Sequence, residues 1–263
     1  MQHDWLIPDW PAPASVSAVC TSRSGGVSAG PYESLNLGDH VGDAPAAVRA
    51  NRRVLQQAVG VRPVFLQQIH GWQVATLDAQ TPDGTSADGC MSSSVAVSCT
   101  IMVADCLPVL LTNRHGSAVA AAHAGWRGLA GDGGCGVLES ALASFIALSN
   151  MQQGITATDV IAWLGPCIGP GQFEVGPEVK AAFESHDPQA ADFFKPRGSG
   201  KWLADLAELA RRRLQAMGVT SIHGNDGSAP WCTVSNPSRF FSHRRDTRAL
   251  GASGRFAACI WLT

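Results

Sequence analysis

Cys106 and His123 stand at the two ends of an apolar hairpin in the stretch ADCLPVLLTNRHGSAVAAAHAGWRG, residues 104–128. LPVLL reads as a short buried strand, TNRHG as a turn and SAVAAA as a second buried strand. With Asn113 to Gly116 as a four-residue loop, Thr112 faces Ser117, and the same register sets Cys106 opposite His123. Side chains directly opposed in an antiparallel pair have Cβ atoms about 4.5–5.5 Å apart. That is close enough to share a metal ion, with Zn–S at about 2.3 Å and Zn–N at about 2.0–2.1 Å. Pro108 has no N–H to donate and interrupts the ladder locally. The ordinary alternative is a small buried cysteine and a histidine closing a strand. A third ligand type appears in FLQQIHGWQV, where His70 ends a strand beside Gly71. Two imidazoles and one thiolate leave a fourth position open, the pattern of catalytic zinc. Zinc lowers the pKa of bound water from about 15.7 to about 7. Copper binds the same donors.

These residues need a scaffold. Strand-like runs occur at 15–21, 64–69, 72–77, 95–103, 107–112, 117–122, 159–164 and 256–262, and helical periodicity at 44–59, 136–149, 177–185 and 202–217. Strands dominate the middle, helices the flanks and the C-terminal half. The pattern predicts one α/β domain of α+β type, with a mixed, largely antiparallel sheet covered by helices. Residues 186–201, with Pro188, Pro196 and Gly198-Ser199-Gly200, read as an exposed loop.

Composition narrows the function classes. The chain of 263 residues is 45% hydrophobic and 15% charged with net charge −2 and no basic run, which argues against nucleic acid as a partner. The segment MQHDWLIPDWPAPAS lacks the basic and apolar regions of a secretory signal. The apolar stretch 95–111 is broken by Asp105 and Pro108 and is too short to span a bilayer. Eight cysteines without CxxC pairing favour reduced thiols and a cytoplasmic location. Two chance motifs are set aside. Gly26–Gly30 matches GxSxG, but loop follows Ser28 where a nucleophile elbow needs a helix. Gly131–Gly136 matches GxGxxG, but HAGWRG separates it from its strand, which points to a flexible loop leading into a helix.

TSRSGGVSAGPYESLNLGDHVGD, FLQQIHG, ADGC, VADCLPVLL, AAHAGWRG, LGPCIGPGQFEVGPEV and SRFFSHRRD occur in this order. Together they resemble the laccase-domain, or YfiH-type polyphenol oxidase, family, from about residue 15 to the end. The resemblance implies a single domain over residues 1–263, with sheets sandwiched between helix layers. It also implies a zinc site, or a copper one, held by His70, Cys106 and His123 as catalytic ligands. The implied activity is phosphorolysis of adenosine, inosine or methylthioadenosine to free base and (thio)ribose 1-phosphate, together with adenosine deamination. Members have also been assigned as copper-dependent polyphenol oxidases and as peptidoglycan-editing factors. A multicopper laccase needs paired H-x-H arrangements, and this chain has eight histidines and no H-x-H. Two departures stand out: an insertion at Ala130–Gly136, and His243 where a tyrosine is frequent.

The implied partners are purine nucleosides and phosphate, with no membrane partner, in a monomer or homodimer. Arg23, flanked by hydroxyls and glycines in Thr21–Gly26, is the first choice for phosphate. Asn36 could bond a ribose hydroxyl or base, or close a turn. Arg244 and Arg245 could line an anion pocket or form a solvated face. Asp105 could orient a ligand histidine, although its neighbour Cys106 should face the other way. Cys167 reads as a buried thiol in a tight turn, and Trp72 and Trp126 as core packing before purine stacking.

Overall fold

The computed structural model describes residues 4–150 and 154–263. Every residue of β5 (Val97–Val103), β6 (Leu107–Asn113) and β7 (Val119–Ala124) is buried. These strands therefore read as unbroken apolar runs, without the alternation of a half-exposed strand. Their two faces feed different cores. Leu107, Val109 and Leu111 join the cluster that includes residues of α2 (Trp126–Ala130), α3 (Val137–Asn150), α4 (Pro177–Glu184) and α5 (Leu206–Ala216), while Leu110 joins a second cluster. In β13 (Phe256–Leu262), Phe256, Ala258 and Ile260 enter that second cluster. Ala257 and Cys259 pack instead with Leu55 and Val59 of α1 (Pro45–Val59). The layers thus run helix, sheet, sheet, helix, with the second cluster between the sheets. Each fully buried large apolar side chain there, Trp163 and Phe256 among them, contributes about 1.5–3 kcal/mol.

One sheet has four strands, in the order β1 (Val16–Cys20), β13, β5, β2 (Arg62–Phe65). The other has six: β12 (Ser221–Gly224), β8 (Val160–Leu164), β6, β7, β4 (Gly89–Ser92), β3 (Val74–Thr76). Only β12–β8, β2–β5 and β3–β4 pair in parallel among the described residues, so the sheets are mixed and largely antiparallel, as expected. A third, small sheet runs β10 (Phe194–Gly198), β11 (Lys201–Ala204), β9 (Glu174–Val175). It corrects the loop expected at 186–201: Gly198, Ser199 and Gly200 all adopt positive φ and close a hairpin, and β10 is largely exposed. The helix expected from 202 accordingly starts at Leu206, where the Asp205 side chain accepts the Glu208 N–H.

The central hairpin also differs in register. Thr112 pairs with Val119 and Pro108 with His123, so Cys106 lies one residue outside the ladder. The turn is longer because the Asn113 side-chain oxygen accepts the N–H groups of both His115 and Ser117, and Gly116 adopts φ 62°. The slip is of two residues. Side chains alternate with period two, so it leaves every residue on its expected face.

Asn51 of α1 ties that helix to the loop that precedes it. Its side chain donates to Ser28 Oγ, Ser34 O and Asn36 O and accepts from Val27 N, at 2.8–3.1 Å. Ser28, the centre of the chance GxSxG, is used up in this network, donating to Asp43. Replacing Asn51 with Ala strands several buried polar groups, at about 1–3 kcal/mol each. The expected outcome is a Tm lower by roughly 5–10 °C in a calorimetric scan.

Candidate metal centre

Asp88 is fully buried and spends its whole carboxylate on the residues around two histidines. Oδ2 accepts the N–H groups of Ile69 and Gly71 at 3.0 and 2.7 Å, and Oδ1 accepts that of His70 at 2.9 Å. Oδ1 also lies 2.8 Å from His123 Nδ1, and the Asp88 carbonyl accepts the His123 N–H at 2.7 Å. This clasp lets His70 hold φ 61°, a conformation that costs a non-glycine residue about 1–3 kcal/mol. Burial opposes the Asp88 charge, but the His123 ring and the backbone donors outweigh it and keep the carboxyl below the usual range. With Nδ1 committed to Asp88, His123 has Nε2 left for a ligand. Asp88 lay within the quoted ADGC block, but it is 18 and 35 positions from the two histidines and no spacing signal marked it.

Cys106 is placed from the other side. Asp105 also has positive φ, 89°, and its carboxylate accepts Thr233 Oγ1–H and Arg244 N–H, each at 2.6 Å. Asp105 therefore binds the start of α6 (His243–Leu250) and not a ligand histidine. Cys106 Sγ lies 3.9 Å from His70 Nε2, and the two imidazole centroids are 4.8 Å apart. Burial pushes the Cys106 thiol up, but the His123 and His70 rings more than reverse this and bring it to about 6. Burial likewise disfavours the His123 cation, while the Cys106 thiolate and Asp88 carry it up to about 9. The protein groups alone thus favour a thiolate at neutral pH, the form that binds metal.

The residues fit a metal ion. One ligand atom from each of His70, Cys106 and His123 lies within 4.8 Å of the others, the one such group among the described residues. Tetrahedral zinc would set its sulfur and nitrogen ligands about 3.6 Å apart, against the 3.9 Å found. Gly125 completes the cradle: a Cβ there would lie 2.9 Å from His70 Cδ2 and 3.1 Å from Cys106 Sγ.

The three residues open onto a cavity of about 350 Å³ whose wall also holds His40, Phe173, His243, Arg244 and Arg255. A larger apolar cavity of about 560 Å³ lies by Trp5, Trp10 and Trp261, and no acidic, basic or thiol side chain lines it. Arg244 is thus on the wall, and so is His243, one of the two departures. Arg23 and Asn36 do not line the cavity. Arg23 donates to Glu33 O and Pro237 O and lies over the Phe241 ring at 4.6 Å. The Asn36 side chain bonds Gly38, Asp43 and the Arg255 N–H. Arg245 is tied to Thr233, Val234, Phe240 and Asp246. Cys167 is buried, and burial pushes its thiol up. Trp126 packs against the core and Trp72 is exposed; neither is on the wall. Residues 130–136 lie outside it too, and Asp132 and Cys135 close that loop with mutual backbone hydrogen bonds. Among the titratable wall residues, His40 and Arg255 are those that the sequence left unremarked.

Fold and site together define a mixed α/β protein with one candidate metal-binding group, His70, Cys106 and His123, among the described residues, at the junction of two sheets. The chain belongs to the family described as multi-copper polyphenol oxidoreductase laccase, whose model matches residues 17–263. It is 48% identical over 259 residues to a purine nucleoside phosphorylase of Pseudomonas aeruginosa, covering 98% of each chain. It is 44% identical over 259 residues to the purine nucleoside phosphorylase YfiH of Escherichia coli, again covering 98% of each. A crystal structure of a Neisseria meningitidis protein superposes with TM-score 0.88 at 47% identity, over 98% of this chain and 99% of that one. YlmD of Geobacillus stearothermophilus gives TM-score 0.82 at 28% identity, over 100% of this chain and 98% of that one. Among the described residues no helix is long and apolar enough to cross a membrane.

Asp88→Asn keeps the shape of the clasp but loses the charge opposite His123. Chelator competition should show metal affinity lowered by about 10- to 100-fold. Gly125→Ala should lower it comparably without replacing a ligand, since the new methyl would press on both His70 and Cys106. Unchanged affinity in both variants would remove the clasp and the cradle from the account.

Proposed function

We propose that this chain is a metal-dependent purine nucleoside phosphorylase acting at the His70–Cys106–His123 centre. The observation that carries this reading is the cavity itself. Three metal-ligating side chains and two guanidiniums line one space of about 350 Å³, sized for a nucleoside. Support comes from relatives named purine nucleoside phosphorylase at 41–48% identity over nearly the whole chain. In the reaction a phosphate oxygen bonds to C1′ of the ribose as the C1′–N9 bond breaks. The electron pair leaves on the purine, which takes up a proton, giving free base and ribose 1-phosphate.

A zinc or copper ion at these ligands would supply Lewis acidity toward negative charge developing on the purine or on a water. The protein's part is placement. Asp88 holds both histidines, Asp105 holds the Cys106 turn against α6, and Arg244 sets a cation on the wall. Phe173 and Ile168 add apolar surface against which a purine ring can lie. Three candidate ligands, which would leave a fourth position on a bound metal, also favour a second reading, adenosine deamination to inosine, in which water adds at C6 and the C6–N bond breaks to release ammonia. Zinc is the first metal of the proposal and copper the second. A four-copper oxidase would need further histidine clusters, and the described residues hold only this one group. The proposed setting is cytoplasmic.

Chromatography of zinc-loaded protein incubated with adenosine or inosine, with and without phosphate, tests the reading beside Cys106→Ala. The expected result is phosphate-dependent release of adenine or hypoxanthine, lost in Cys106→Ala. Inosine formed from adenosine without phosphate would add the deaminase. Full turnover by Cys106→Ala would sink the metal-centre mechanism.

A further inference from the structure

Two arginines on the cavity wall differ in what their guanidiniums are free to do. Arg244 donates from Nη2 to Glu174 O at 3.1 Å and from Nη1 to Gln172 O at 3.5 Å, and lies 5.9 Å from the Phe173 ring centre. Arg255, just before β13, uses Nη1 alone, donating to Ser253 O and Gly254 O at 3.0 Å each. Among the described residues its Nε and Nη2 make no hydrogen bond to the protein. That Nε–Nη2 edge is the pair of parallel donors that fits two oxygens of a tetrahedral anion.

The rest of Arg255 is fixed in advance. Its backbone N–H donates to Asn36 Oδ1 at 2.8 Å, and a Cβ at Gly38 would come within 2.8 Å of its Cγ, so the stem fills the place of a missing side chain. Asn36 is in turn held by Asn51 through its carbonyl. Little side-chain freedom remains to be lost when the fork takes an anion. The local charge also suits one. Two guanidiniums face one carboxylate on this wall, and that carboxylate, Asp105, is already turned to Thr233 and the Arg244 N–H. His40 and His243 are held below the ordinary imidazole range, first by burial and next by the Arg255 charge, which leaves both rings uncharged at neutral pH.

We infer that Arg255 is the principal inorganic-phosphate-binding residue of this cavity, its Nε–Nη2 edge forming the anion subsite beside Arg244. The inference rests on the phosphorylase reading and moves the phosphate from the TSRSGG loop to the wall that carries the metal ligands. Arg23 then holds the loop at Glu33 to the segment at Pro237, and Asn36 acts through Arg255 as a positioning residue.

The test uses metal-loaded full-length protein, with Arg255→Gln, Arg255→Lys and Arg23→Gln beside wild type. Two readouts are taken: KM for phosphate against KM for inosine, and calorimetric titration of inorganic phosphate without nucleoside. Losing a bidentate charged contact should raise the phosphate KM in Arg255→Gln by about 30-fold or more, with the inosine KM within about threefold and metal content unchanged. Arg255→Lys keeps stem and charge, should fold if the glutamine variant does not, and should recover only part of the loss. A phosphate KM within about twofold of wild type in metal-replete Arg255→Gln overturns the inference, as does a larger rise in Arg23→Gln. If wild type cleaves no purine nucleoside, the phosphorylase reading fails and the titration decides alone. Phosphate binding that disappears in Arg255→Gln sustains the subsite. Binding that persists there, or no binding by wild type up to about 10 mM, overturns it.

Discussion

The buried Asp88 carboxylate is the constraint on which the site depends. One anion, out of contact with solvent, takes three successive backbone N–H groups from the His70 turn and the Nδ1 of His123. A buried charge is tolerated only when its oxygens are matched by donors, so the two histidines cannot move apart without exposing that cost. The clasp also crosses the fold. The His70 turn follows β2 of the four-stranded sheet, whereas His123 belongs to β7 of the six-stranded one. The candidate metal centre therefore sits where the two sheets meet, with the cluster packed between them as its support.

Strain and polarity collect at the same place. Of the three non-glycine residues with positive φ among those described, His70 and Asp105 flank the centre. Each is held by side-chain bonds from a distant segment, as unfavourable backbone conformations at functional positions generally are. The first turn of α6 shows a similar conflict, because His243, Arg244 and Arg245 put basic residues at the positive end of a helix. Asp105 and Asp246 offset part of this, and the remainder leaves Arg244 on the cavity wall. Local rules are broken here and obeyed in the layers around it, the pattern expected of a binding site.

Two departures of the structure from the sequence reading had opposite consequences for physical reasons. The hairpin register was two residues off, because an asparagine-closed turn cannot be told from a four-residue loop by spacing. The error was harmless: a shift of two keeps every side chain on its face, and Cys106 still reached the cluster. The loop expected at 186–201 was a misreading of composition. Its proline and glycines look like linker, yet they form an exposed hairpin whose pairing partners, β11 and β9, have no long apolar run to announce them.

The sequence by itself determined the layer architecture and offered the candidate ligand types. Uninterrupted apolar runs require strands buried on both faces, and cysteine and histidine at strand ends are donors wherever the chain carries them. Only the tertiary structure decided what those donors face. Asp88, Arg255 and His40 are ordinary residues in loops or at strand edges, and nothing in their spacing connects them to His123 or Cys106. Their roles come from long-range contacts: a carboxylate shared between residues 18 and 35 positions away from it, and an arginine 219 positions from the asparagine that aligns it. Arg23 was the reverse case, a residue with the right chemistry and promising neighbours whose Nε and Nη1 the folded chain had already engaged away from the cavity. Residue type is written in the chain, but whether a donor is free is settled only when every other group has taken its partner.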